Sequence, residues 1–299
     1  MRLNLKQLEA FVWVADLQSF RGAAARLNTT QPNISARIAA LEDGLGHKLL
    51  IRDAGAVRLT AKGQALLSHA RGVLAAADTL VHAADRHDLL TGTLRLGVTE
   101  MIAQTWLHDF LRDLHRAFPQ VLVELTVGFS VNLEAGLAER SLDLTLQNEP
   151  FSRHFSGARP LGSYPLIWVA APALGLGDGT IDAARLAAHP ILTHARDTLL
   201  YQATSAHFAG KTAVAARLVP VSNLAACQRM IADGMGVGTL PVAMVAQDIA
   251  RGALCSVAYD WVPDPLVFHA RFEADKAPRL VAEAAEMAVK AAKAFDQKK

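Results

Sequence analysis

Along the first sixty residues the apolar positions recur at helical intervals. Leu5, Leu8, Phe11, Val12 and Ala15 mark one face of a first helix. Ser19 is placed to cap a second, which carries Ala23, Ala24, Ala25 and Leu27 and whose small side chains let a neighbour approach closely. Asn28-Thr29-Thr30 breaks that helix. Thr30 can cap a third, with Pro32 in a first turn where a missing N–H costs no hydrogen bond. Ile34, Ile38 and Leu41 then share one face, and Gly44 and Gly46 supply the C-terminal punctuation. Two apolar runs, 49–52 and 57–60, flank the turn-prone Asp53-Ala54-Gly55-Ala56 and predict a hairpin.

A long helix is predicted next, from a cap at Thr60 to about His87. Leu66, Val73 and Leu80 repeat every seven residues, and Ala70, Ala77 and Ala84 repeat between them. Such a seam of alternating large and alanine positions pairs two helices closely. Packing on the chain's own domain is the competing use of that face.

From Leu94 the period changes to short apolar strands alternating with helices. Strands are predicted at 94–99, 121–127, 142–146, 166–170, 190–193, 218–221, 236–240 and 266–272. One helix carries Trp106, Phe110, Leu111, Leu114 and Phe118, another Leu133, Leu137 and Ala138, and an alanine-rich helix spans 278–295. This alternation gives βαβ units in two lobes, with chain crossings near Tyr164 and Asp260.

Composition narrows the function. Hydrophobic residues make up 52% of 299 and charged residues 19%, enough to build cores and too little charge for a disordered chain. The net charge of +2 is unevenly placed: residues 1–60 hold eight Lys/Arg against five Asp/Glu, which suits a nucleic-acid-binding head on a neutral body. Cys227 and Cys255 are too few for a disulfide framework and read as reduced thiols. Lys6 and Glu9 interrupt any signal-peptide core, and the apolar run near Pro165–Leu176 is broken by Pro172 and Gly175, so a cytoplasmic location without a membrane partner is expected. No catalytic motif, metal-spaced Cys/His cluster or dinucleotide fingerprint is present, so neither enzymatic activity nor a cofactor or metal is expected.

Two short helices joined by a tight polar turn can place the second helix in the major groove with its N-terminal residues on base edges. Thr30, Gln31, Pro32, Asn33, Ser35 and Arg37 occupy that stretch, and Gln and Asn match adenine edges. Arg52 and Arg58 on the hairpin are placed for the phosphate backbone or minor groove. From Ser19 to Gly63 the run SFRGAAARLNTTQPNISARIAALE, then LGHKLLIR, then RLTAKG, resembles the LysR-type transcriptional regulators in register over roughly sixty residues. Ala36 and Leu50 depart from the family pattern. The resemblance implies base contacts from Gln31, Pro32 and Ser35 and a minor-groove wing arginine at Arg52. It further implies promoter DNA as partner, an antiparallel linker-helix homodimer that assembles to a homotetramer, and a small-molecule effector; RNA polymerase is a further partner it allows.

The expected architecture is therefore α/β overall. An all-α winged helix-turn-helix head (1–60) and a dimerising linker helix (61–90) precede a two-lobed, periplasmic-binding-protein-like effector domain (91–299). One lobe takes 91–164 and 266–299, the other 165–265. Four strand-to-helix junctions supply the candidate effector ligands: Thr99 and Glu100; Ser130 and Asn132; Thr193, His194 and Arg196; Ser222 and Asn223. Hydroxyl and amide groups beside free helix N–H groups suit a small carboxylate. Taken alone, the two lobes would equally serve a solute-binding protein.

Overall fold

The computed structural model describes residues 3–53, 56–84, 92–211 and 215–297. The head opens with α1 (Leu5–Leu17), capped by Asn4 in a reciprocal capping box with Gln7. Helices α2 (Phe20–Arg26) and α3 (Gln31–Leu45) follow, capped by Ser19 and Thr30, and Gly46 ends α3 in the left-handed conformation at φ 70°. Asn28, at φ 47°, makes the turn between them, a conformation that Asn tolerates better than most residues. The hairpin is β1 (Leu50–Asp53) paired antiparallel with β2 (Ala56–Leu59). Phe11, Val14, Ile34, Leu41 and Leu49 pack into one buried core with Leu67 and Ala70 of the long helix α4 (Ala61–Ala83).

That last contact divides the predicted seam. Leu66 and Ala70 pack on the chain's own head, whereas Val73 and Leu80 are exposed. The end of the predicted helix, with His87, lies outside the described residues.

The body contains two five-stranded sheets. The first is built from β3 (Gly92–Val98), β4 (Val121–Val127), β5 (Leu144–Asn148), β6 (Gly157–Tyr164) and β12 (Leu266–Phe272), in the order β4-β3-β5-β12-β6. The second holds β7 (Leu166–Ala170), β8 (Ile191–Thr193), β9 (Leu218–Pro220), β10 (Val237–Pro241) and β11 (Cys255–Ser256), in the order β11-β7-β10-β8-β9. Helices α5 (Glu100–Gln104), α6 (Leu107–Ala117), α7 (Ser130–Ala138) and α12 (Arg279–Asp296) accompany the first sheet; α8 (Ala183–Ala187), α9 (Leu199–Phe208), α10 (Leu224–Ala232) and α11 (Val242–Ala250) accompany the second. In each sheet a central parallel strand, β3 or β8, has later parallel strands on both sides. The chain reverses direction of travel there, and such switch points leave a crevice at the strands' carboxyl ends.

Among the elements that differ from the pattern, three have a local reason. The strand expected at 142–146 is displaced to β5, because Leu142 and Asp143 still serve the turn: their N–H groups bond the Gly136 and Arg95 carbonyls. β6 escapes detection because Pro160 and Gly162 resemble a loop. It is an edge strand with a register irregularity opposite Phe268/His269, where a missing N–H is tolerated. The helix expected to carry Trp106 breaks just before it at Thr105, leaving α5 as a separate short helix, while Trp106 is buried with its indole N–H on the Tyr164 hydroxyl at 2.9 Å.

Candidate functional site

The N-terminus of α3 stands free of the head's core. Its apolar face, Ile34, Ile38 and Leu41, is buried, while Thr30, Gln31 and Pro32 at its start and Asn33 and Ala36 on its other side are exposed. Thr30 Oγ1 accepts the Asn33 N–H at 3.4 Å, and the Asn33 amide donates to Thr29 Oγ1 at 2.8 Å, tying the turn to the helix start. Ser35 and Arg37 are half-buried; burial raises the Glu9 carboxyl of α1, and the nearby Arg37 opposes that rise only in part. Arg58 is exposed on β2; Arg52 sits opposite Val57 in β1, and its side chain lies outside the described residues.

Glu42, unremarkable in the sequence, fixes the hairpin to α3. Its buried carboxylate accepts the N–H groups of Leu49 and Leu50 at 2.9 and 3.2 Å and the Lys48 ammonium at 2.7 Å. Burial alone would raise its pKa; these bonds outweigh burial and lower it. The recognition helix and the wing are thus one rigid unit.

In the body, the predicted residues fall into three groups. Glu100 reaches from the first sheet's α5 to the second sheet's α10, where its carboxylate accepts the N–H of Leu224 at 2.7 Å and of Ala225 at 3.0 Å. Asn223 Oδ1 takes the next N–H, of Ala226, at 2.7 Å. The expectation of free N–H groups at this helix start is corrected accordingly: a carboxylate of the protein occupies it. Ser222 beside it is exposed.

Ser130 opens α7 and exchanges hydrogen bonds with Asn148 at the end of β5, donating to Oδ1 at 2.9 Å and accepting the N–H at 3.2 Å; Asn132, two residues on, is exposed. Thr99 follows β3, nearly buried at 7% exposure, with its hydroxyl neither capping α5 nor otherwise partnered. Thr193 ends β8 and donates to the His194 carbonyl at 2.9 Å. Burial drives the His194 pKa down to about 4 against a bond with the Thr239 backbone, so the ring is neutral near pH 7, and its Nε2 has no partner. Arg196 belongs to none of these. It is exposed, with Nη1 donating to the Tyr201 hydroxyl at 3.0 Å.

Gln147 was not anticipated. It is fully buried in β5 with both amide atoms unpartnered. The only trace in the sequence is a polar residue at the end of an apolar run. Among the described residues no group of His, Cys, Asp and Glu is arranged to hold a metal, and no helix is long and apolar enough to cross a membrane.

A winged helix-turn-helix with a free recognition face, joined to two α/β lobes with a switch point in each sheet, defines a ligand-responsive DNA-binding regulator. Comparison with known proteins agrees. Residues 5–64 match the family of the bacterial regulatory helix-turn-helix protein, lysR family, and residues 87–293 match the LysR substrate binding domain. A "probable hydrogen peroxide-inducible genes activator" of Streptomyces viridosporus is 32% identical over 252 residues, covering 83% of this chain and 80% of that one. The HTH-type transcriptional regulator IlvR of Caulobacter vibrioides is 34% identical over 256 residues, covering 81% and 83%. Among solved structures, full-length LysG of Corynebacterium glutamicum with bound effector Arg superposes with a TM-score of 0.59 at 21% identity, over 97% of this chain and 98% of that one. Full-length CbnR in complex with its target DNA gives 0.52 at 24%, over 97% and 100%. The chain belongs to the LysR-type family: it is a DNA-binding transcription regulator with an effector-binding domain, not an enzyme.

Proposed function

We propose that this regulator reads promoter DNA through Thr30, Gln31, Pro32, Asn33 and Ser35, steadied by Arg37, Arg52 and Arg58, and that a small carboxylate-bearing effector in the inter-lobe crevice modulates that reading. The supporting observation for DNA is the exposure of Gln31 and Asn33 at the start of a helix that Ile34, Ile38 and Leu41 lock in the core. Gln31→Ala should weaken specific binding by roughly 1–3 kcal/mol and leave the salt dependence nearly unchanged. Gel shifts on the DNA upstream of the gene, at several salt concentrations, measure both; equal loss on every sequence would remove Gln31 from base reading.

For the effector, the unpartnered Thr99 hydroxyl at the end of β3 can donate to a carboxylate, and the free Nε2 of the neutral His194 ring at the end of β8, whose other nitrogen bonds the Thr239 backbone, can accept an N–H or O–H of the same molecule. Peroxide sensing through a thiol is the reading that the first relative's name invites, and both cysteines argue against it. Burial pushes the Cys227 thiol up to about 12 and also raises Cys255, so neither forms the reactive thiolate readily. LysG, of the same fold, holds arginine, an amino acid with the carboxylate in question. A thermal-shift screen of amino acids and small carboxylic acids should raise the melting temperature for at least one, and a Thr99→Val variant should lose that rise. A hit that Thr99→Val and His194→Phe both leave intact would place the effector elsewhere.

Dimerisation belongs to the same proposal. Val73 and Leu80 stay exposed on α4, and an apolar hollow of about 450 Å³ lined by Leu3, Leu5, Leu8, Leu45, Leu66 and Val73 lies where α1 meets α4. A second α4 would cover both.

A further inference from the structure

The head and the first lobe meet in a buried cluster of five charged groups around one tryptophan. Arg26, at the end of α2, bonds the Asp143 carboxylate, whose second oxygen accepts the Arg95 N–H at 2.9 Å. Asp16 of α1 accepts from two arginines, Arg71 of α4 and Arg140, which stands just beyond α7. The Trp13 ring carries the Arg26 guanidinium 4.3 Å from its centre and that of Arg140 at 4.5 Å. The Asn28 amide adds a bond to Thr93 Oγ1 at 3.3 Å. The Arg26 and Asp143 side chains are each 8% exposed and Asp16 is 6% exposed, so water screens these pairs little. Arg140 sits at φ 58°, a backbone conformation that glycine adopts more readily; an arginine there is worth its strain only if its side chain is used.

The position of this cluster in the lobe is what gives it meaning. Thr93 lies at the start of β3 and Arg95 at its middle, Asp143 just before β5, and Arg140 after the C-terminus of α7. The crevice residues Thr99, Asn148 and Ser130 lie at the opposite ends of the same three elements. The nine residues of α7 separate the two poles by about 13 Å, at about 1.5 Å per residue. Between them β3 and β5 are hydrogen-bonded neighbours in one packed core.

We propose that this cluster is a latch in cis: it clamps each DNA-binding head to the first lobe of its own chain, so that head and lobe turn as one body when the angle between the lobes changes. The inference rests on the crevice being the effector site, as argued above. With the latch closed, motion of one lobe against the other reaches the recognition helix of the same chain. α3 stays clear of the clamp, since its exposed face bears none of these residues. The clamp is adjustable. Three arginines face two aspartates, and Arg26 Nη1 and Arg71 Nε are buried without a partner, so the network is incompletely satisfied and rearrangement costs it less than it would a fully paired one.

Hydrogen exchange of the full-length protein, without DNA or effector, tests the latch from both sides. Arg140→Gln, a change in the lobe, should speed exchange at least tenfold in head segments 13–28. Arg26→Gln, a change in the head, should do the same in lobe segments 93–96 and 136–143. Segments 191–193 and 237–241 of the second lobe should keep their rates and show that both variants are folded. Should Arg26→Gln be globally unfolded, Asp16→Asn in the head replaces it with the same expectation in the lobe; should Arg140→Gln be, Asp143→Asn in the lobe replaces it with the same expectation in the head. Effects confined to the substituted domain, or no change in either, would overturn the latch. Failure of the wild-type protein to bind promoter DNA would instead remove the functional reading and leave this exchange result standing.

Discussion

Glu134→Ala should destabilise the effector-binding domain by about 3–5 kcal/mol, because it strands a buried cation. Arg271 lies in β12 with its side chain 4% exposed, and its Nη1 donates to Glu134 Oε1 at 2.8 Å. The same carboxylate accepts the N–H groups of Ser152 and Arg153 at 3.1 and 3.0 Å and the Ser152 hydroxyl. Without it, two backbone donors lose their acceptor, and a guanidinium that cannot discharge is left between the Phe151 and Phe155 rings, 3.8 and 4.9 Å from their centres. For a domain of this size the melting temperature should fall by roughly 6–20 °C. Glu134→Gln combined with Arg271→Met removes both charges and should recover much of the loss; a single Glu134→Ala within about 1 kcal/mol of wild type would deny the pair its role.

The same pair sets an acid limit. Burial would raise the Glu134 carboxyl, but bonds from Ser152, Arg271 and Arg153 hold it at about 2, against an ordinary 4.5. A carboxylate depressed in the folded state contributes stability that is complete above the ordinary value and is lost as pH falls from 4.5 towards 2. Urea titrations across that window should therefore show wild type losing stability more steeply than Glu134→Gln. Since α7 carries Glu134 and also Ser130 and Asn132, the crevice wall should loosen along with the fold.

How much of this was legible in the chain follows from where each interaction is encoded. Helices α1–α3 and strands β4, β7 and β12 could be read because periodicity, caps and turn residues are local. The recognition face was legible in part: burying Ile34, Ile38 and Leu41 turns Asn33 outward, whereas Gln31, three residues before Ile34 on the same face, is exposed because it begins the helix. The crevice was legible only as a set of strand ends. That Glu100 fills the start of α10, 124 residues away in the chain, depends on how two lobes close, which no local pattern records. Arg26–Asp143 and Arg271–Glu134 span 117 and 137 residues, and each partner alone reads as an ordinary surface charge. The heptad seam was half visible: its repeat is genuine, but whether Ala70 faces a partner or the chain's own head is settled by the core formed with Leu67 and Phe11.

Gly63→Ala should disrupt the head and the linker together, through a contact too close for any side chain. A Cβ on Gly63 would stand 2.1 Å from the Leu49 carbonyl oxygen and 3.0 Å from its carbon, and backbone cannot swing aside as a flexible side chain can. The approach is tight because the first turn of α4 is docked on the wing. Thr60 donates its hydroxyl to the Lys48 carbonyl at 2.8 Å and its N–H to the Leu49 carbonyl at 2.9 Å, while Thr60 Oγ1 accepts the Gly63 N–H at 2.9 Å. Relieving the overlap must lift α4 from β1 and loosen Leu66, Leu67 and Ala70, which close the head's core from the same helix. The expected cost is about 1–3 kcal/mol of head stability. Promoter affinity should fall at least tenfold, or about 1.4 kcal/mol, because α4 also sets the orientation of the head. Gly72 supplies the control: it lies in the same helix, and a Cβ added there would meet nothing within 4 Å. Gly72→Ala should therefore be neutral or stabilise by up to about 1 kcal/mol through helix propensity alone. Urea unfolding and gel shifts on the two variants separate the effects. If Gly63→Ala matched Gly72→Ala in both, the docking of α4 on the wing would not be the constraint that joins the reading head to the rest of the molecule.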